Sequence, residues 1–142
     1  MNVNNKINHL EDVKVSTKLK ISALWIAVMF IFAYVDIFAF FKPGTISGIQ
    51  AGKVFIFQIT QTFVFLTTLY VVIPSLMVFF SLVLPPKVNR WTNIIVAFFC
   101  IVTILGSCIG ETWIFYLFGS VVESVLLLVI VWYAVKWPKQ RD

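Results

Sequence analysis

The stretch that decides the fold is Val54–Leu84, VFIFQITQTFVFLTTLYVVIPSLMVFFSLVL, 31 residues without a charge. At about 1.5 Å per residue a helix of that length would run ~46 Å, more than the ~30 Å of a hydrocarbon layer and too little for two crossings. One membrane helix is expected over 54–84, its surplus lying at the end that holds Gln58, Thr60, Gln61 and Thr62. Pro74 removes an amide donor from the middle of the run and frees the Tyr70 carbonyl, which predicts a kink there, with Thr67, Thr68 or water bonding the exposed oxygen.

Working outward, Pro85-Pro86-Lys87 stops this helix, and Asn89-Arg90 leads into a third apolar segment over 91–109. Gly106, Gly110 and Glu111 mark a tight turn into a fourth over 112–135, and Glu111 reads as an ordinary solvated charge. On the other side, Pro43, Gly44, Gly48 and Gly52 make residues 42–53 a turn-rich loop, preceded by an apolar run over 21–41. That run is too long for the core of a signal peptide and meets Lys42-Pro43-Gly44 in place of a small-residue cleavage site, so it is expected to be retained. The expectation is an all-α bundle of four transmembrane helices over 21–137, with a polar tail at 1–20 and a short one at 138–142.

Composition agrees. The chain of 142 residues is 61% hydrophobic and 12% charged, about half the charge of a soluble domain. Its net charge of +5 sits at the ends of the apolar segments, a pattern of membrane orientation and not of nucleic-acid binding. Nine Lys and Arg fall on the side of the termini and the second loop, against Lys42 and Lys53 on the other, which places both termini in the cytoplasm. Trp25, Trp91, Trp132 and Trp137 are expected at that interface and Trp113 at the outer one. The location expected is the bacterial cytoplasmic (inner) membrane, crossed several times, with the lipid bilayer as first partner.

Cys100 and Cys108 are eight positions apart on one helix, about 12 Å, too far for a disulfide. His9, the single histidine, lies in the polar tail, so no metal site is expected, and no cofactor. No nucleophile with a positioned base and no glycine-rich phosphate loop occurs, which weighs against an enzyme; a lipid-modifying activity is the least supported class.

Helices in a bilayer meet on small and polar faces, and each segment offers one. The first has Ala33, Asp36 and Ala39; the second Gln61, Thr68 and Ser75; the third Asn93, Ala97, Cys100, Thr103 and Ser107; the fourth Tyr116, Gly119, Ser120 and Glu123. Hydroxyls and small residues need no more explanation than packing. The acids do, because a carboxylate at the centre of a membrane helix costs about 2.5–3.5 kcal/mol on the insertion scale. No Lys, Arg or His lies within the four spans to neutralise Asp36 or Glu123, so at least one should hold a proton or a cation. The candidate ligand or proton site is Asp36, Glu123, Thr68, Gln61, Ser75, Ser120, Tyr116 and Thr103, with Gly119 leaving room for an approach to Glu123 and Asp36 nearer the outer mouth.

From about Lys20 to Trp137 the chain resembles a family of small bacterial four-helix membrane proteins known only as a domain of unknown function. The likeness is carried by Tyr34-Val35-Asp36, Lys42-Pro43-Gly44, Pro74-Ser75-Leu76-Met77, Asn89-Arg90-Trp91-Thr92-Asn93-Ile94-Ile95 and Trp132-Tyr133-Ala134-Val135-Lys136-Trp137. It implies the fold and the membrane location, and no activity. Two function classes remain at this point. One is a membrane protein binding or conducting a proton, cation or small molecule at the polar site, as a homo-oligomer if it transports. The other is an accessory subunit whose polar stripes dock onto another membrane protein.

Overall fold

A computed structural model describes residues 13–137; His9 and the basic residues of the outermost tails lie outside them. Among the described residues four helices are long and apolar enough to cross a membrane, which makes this a multi-pass membrane protein with an all-α bundle. They are α1 (Thr17–Ala39), α3 (Gln61–Val83), α4 (Pro86–Ser107) and α5 (Ile114–Val135), with a short α2 (Thr45–Gln50) and a two-stranded hairpin, β1 (Lys53–Val54) and β2 (Phe57–Gln58), between α1 and α3. Large apolar side chains such as Phe65, Ile95, Phe98 and Phe118 face outward, as they must where the surroundings are lipid.

Local chemistry sets the ends. Ser16 caps α1 by accepting from the Leu19 amide (3.3 Å), and Thr60 caps α3 through Phe63 (3.1 Å). Pro86 opens α4 at the position where its missing N–H costs nothing. α5 has no side-chain cap; just before it, one Glu111 oxygen accepts the amides of Thr112 (2.9 Å) and Trp113 (3.0 Å) and fixes the turn that leads in.

The second membrane helix starts at Gln61, not at Val54. Residues 53–58 form the hairpin, in which Lys53 pairs with Gln58 and Val54 with Phe57 around a turn at Phe55-Ile56. Val, Phe and Ile are strand formers as much as membrane residues, and Gly52, at φ +76°, turns the chain just before β1. The Ile59 amide then returns to the Gly52 carbonyl (2.8 Å), closing the loop. Absence of charge therefore measured apolarity there, not helix.

α1 packs against both α3 and α5, and α5 also against α4, while α3 and α4 touch much less. Where α1 begins and α5 ends the bundle is closed. Ile21, Trp25, Val28, Met77, Ala97, Cys100, Leu127, Ile130 and Ala134 form its core, and a polar network runs through them. Trp25 Nε1 donates to Asn93 Oδ1 (2.6 Å), which also accepts from Ser81 Oγ (3.2 Å). Asn93 Nδ2 donates to the Asn89 carbonyl (2.8 Å) and to Asn89 Oδ1 (2.6 Å), and Asn89 Nδ2 to the Ser81 carbonyl (2.7 Å). Ser22 donates to the Val78 carbonyl (2.8 Å), and Lys18 bonds the carbonyls of Leu82 (3.0 Å) and Leu84 (2.8 Å) at the end of α3. Trp25 is thus a buried strut between α1 and α4, not the interfacial anchor its indole suggested. In lipid these bonds have no water to replace them.

α3 runs through Pro74. The Thr67 and Thr68 hydroxyls bond back to the carbonyls of Phe63 (2.9 Å) and Val64 (2.8 Å), so neither serves the Tyr70 carbonyl as expected.

Candidate functional site

The inward faces of the four helices part above the closed end and leave a cavity of about 750 Å³. α1 contributes Phe32 and Asp36, α3 Thr67 and Tyr70, α4 Thr103 and Ser107, and α5 Tyr116, Ser120 and Glu123. Spacings of three and four explain the convergence. On α5, Tyr116, Ser120 and Glu123 form one stripe, which continues into the packed half through Leu127, Ile130 and Ala134. On α3 the inward stripe is Phe63, Thr67, Tyr70, Pro74, Met77 and Ser81, packed in its lower part and lining the cavity in its upper part.

Five of the eight residues singled out from sequence come together here: Asp36, Thr103, Tyr116, Ser120 and Glu123. Gln61, Thr68 and Ser75 do not. All three are exposed, and Thr68 and Ser75 spend their hydroxyl protons on their own helix, at the carbonyls of Val64 and Val71 (both 2.8 Å). Their seven-residue repeat lies about one residue, or 100°, off the inward face of α3. Pro74, buried beside Met77 and three positions before it, was the better phase marker.

Gly119 also departs from expectation. It is buried against α1, where an added Cβ would run into the stiff Val35 side chain, so its missing side chain permits close helix packing. The space it provides is filled by Val35 and is not an approach to Glu123.

Glu123 is only 3% exposed, and among the described residues its Oε1 has no hydrogen-bond partner. It lines the cavity from deep on α5, whereas Asp36, on α1, is exposed. Among the described residues, none that lines the cavity is basic. Most of the neighbouring hydroxyls have already committed their protons. Thr103 donates to the Cys100 carbonyl (2.8 Å), so the Tyr70 hydroxyl donates to Thr103 Oγ1 (2.7 Å). Ser107 donates to the Ile104 carbonyl (2.7 Å) and Thr67 to that of Phe63. What these four groups turn toward the cavity is oxygen lone pairs.

The hairpin roofs this space. Phe57 of β2 stacks on Phe63 of α3 at 5.7 Å between ring centres, and both line the cavity. Beside the roof, Lys42 Nζ meets Glu111 Oε2 at 2.6 Å, their side chains 15% and 5% exposed. Lys42 also lies 5.7 Å from the ring centres of Phe55 and Tyr116 and 5.9 Å from that of Trp113. Glu111 is therefore not a solvated charge. Burial alone would raise its carboxyl, but the Lys42 ammonium and the amides of Trp113 and Thr112 hold it below the usual carboxylate range. One pair of charges thus joins the loop after α1 to the α4–α5 turn.

Residues 8–142 match a family of unknown function, DUF6326. The chain belongs to that family. Neither a curated protein nor a solved structure matches it.

Proposed function

We propose that this protein holds a proton, a cation or a small molecule bearing a positive charge within the membrane, at a site formed by Glu123 and Asp36, and either binds it or conducts it. The observation that carries this reading is Glu123 Oε1, buried without a partner among the described residues in a cavity whose described lining has no basic residue. An unpaired carboxylate in lipid is too costly to persist, so the group has to keep its proton or be neutralised by a cation. Conduction would require the closed end to open, because the Trp25–Asn93 layer lies between the cavity and the termini.

The same reading places the protein in the bacterial cytoplasmic membrane with both termini in the cytoplasm and the hairpin outside. The nine-to-two split of Lys and Arg supports that orientation. Labelling of a cysteine placed at Gly48 from the outer side is its check.

Infrared difference spectroscopy in vesicles tests the site. The titratable groups that share its lining with Glu123 are Asp36 from α1, Tyr70 from α3 and Tyr116 from α5, while Cys100 of α4 lies in the packed core. A step in pH should produce a carboxyl signal that Glu123→Gln deletes and Asp36→Asn displaces, with the helical content of both variants unchanged. Identical spectra for wild type and Glu123→Gln would overturn the proposal.

A further inference from the structure

The cavity is far larger than a proton or a bare metal ion needs. At about 750 Å³ it falls within the range of sites for organic ligands. Five of its lining side chains are aromatic, Phe32, Phe57, Phe63, Tyr70 and Tyr116, and Leu66 and Val71 add aliphatic wall. The Tyr70 ring is held by the bond to Thr103 and packs near Phe32 (6.4 Å between centres) and Phe99 (6.0 Å). A hydrated inorganic cation would leave these walls unused. Among the described residues no third acid, histidine or cysteine joins the two acids in a metal-binding group.

The polar part of the lining has a sign. Two carboxyls converge from α1 and α5, and Thr67, Tyr70, Thr103 and Ser107 present lone pairs because their protons are already donated within the protein. Aromatic faces are negative as well. An anion would find no basic group in the described lining and only the Tyr116 and Ser120 hydroxyls left to donate, and a neutral apolar molecule would leave Glu123 unanswered.

From this combination we infer that the ligand of the cavity is an organic ammonium ion with apolar substituents, its charge set against Glu123 and its substituents against the aromatic walls. The inference rests on the proposed site at Glu123 and names the class of ligand that site takes.

Two probes of nearly equal shape separate charge from shape: benzyltrimethylammonium and its uncharged carbon isostere, neopentylbenzene. Binding to the full-length protein in lipid nanodiscs is followed by calorimetry at neutral pH. The cation should bind wild type at least about tenfold more tightly than the isostere. Glu123→Gln should remove that preference while keeping the isostere's affinity, which shows that the cavity is still folded. Asp36→Asn, at the exposed acid, should reduce the preference by less, and an excess of sodium chloride should not displace the cation. Equal binding of the two probes, or displacement of the cation by sodium, would overturn the inference. If neither probe binds but the infrared carboxyl signal depends on Glu123, the ligand class is wrong and the site stands. If that signal is missing too, both fall.

Discussion

The two halves of the bundle use the same kinds of residue to opposite ends. Near the termini, Asn89, Asn93, Ser81, Ser22 and Trp25 are buried with their side chains bonded to one another or to backbone. At the other end Glu123 is buried just as deeply and its Oε1 bonds to nothing. Polarity inside a membrane therefore does not by itself mark a site. A closed set of partners is glue, and an open valence at the edge of a cavity is where a ligand can act.

The strongest way to break the comparison is at Asn93. Its amide oxygen accepts from Trp25 and Ser81, and its nitrogen donates twice to Asn89, so Asn93→Leu strands the indole N–H, the Ser81 hydroxyl and Asn89 Oδ1 away from water. Leaving buried groups unsatisfied costs about 1–3 kcal/mol, although bonds between membrane helices average only ~0.6 kcal/mol when measured by cycles. Unfolding in mixed micelles should show a loss of about 1–3 kcal/mol, larger than for Glu123→Gln, which removes no bond. If Asn93→Leu unfolds like wild type, the network is not what holds the closed end together.

How much of this was legible in the chain follows from what each signal measures. Four crossings could be read because a charge-free run of about 20 residues has few other fates. The hairpin could not, since Val54 to Ile59 are equally at home in a strand, and hydropathy carries no period there. At Asp36, Thr103, Tyr116, Ser120 and Glu123 the three-and-four spacing was sufficient. It failed on α3, where Thr67 and Thr68 are neighbours of one chemical type and only the packing of Pro74 and Met77 tells which of them points inward. Tyr70 and Thr67 were missed as lining residues for the same reason, whereas Ser107 lay on the polar face read for the third segment but was not carried into the candidate site. The pairing of Lys42 with Glu111 spans 69 positions, and no local pattern encodes it.

A smaller effect is expected where the open end is fastened. The Glu111 carboxyl is held below its ordinary value in the folded protein, so its contribution to stability is fully present above about pH 4.3, the unfolded reference. That contribution is lost as pH falls through the lowered value. The pair should be worth about 0.2–1 kcal/mol, in the range of single ion pairs near a surface. Thermal melts of wild type should fall on acidification from pH 5, and those of Glu111→Gln should start lower and fall less. Parallel pH profiles would show that Lys42 and Glu111 do not act as a pair.

The smallest effect belongs to the α3 stripe that sequence favoured, and it separates the two readings of polarity most sharply. Thr68 and Ser75 repeat every seven residues and look like a polar face, yet both are exposed on the outer side of the bundle and each hydroxyl is bonded to a carbonyl four residues back. Such a bond lets a hydroxyl sit in lipid without a partner from another helix. Removing it takes away donor and need together, because the carbonyl keeps its own helical bond. Thr68→Ala and Ser75→Ala should therefore change stability by less than about 0.5 kcal/mol and leave the Glu123 infrared signal intact. Thr67→Ala stands one position away but on the cavity wall, so it should alter ligand binding where Thr68→Ala does not. If Thr68→Ala instead abolishes binding, the functional face of α3 lies 100° away from the cavity, and the polar stripe, not the unpaired carboxyl, marks the site.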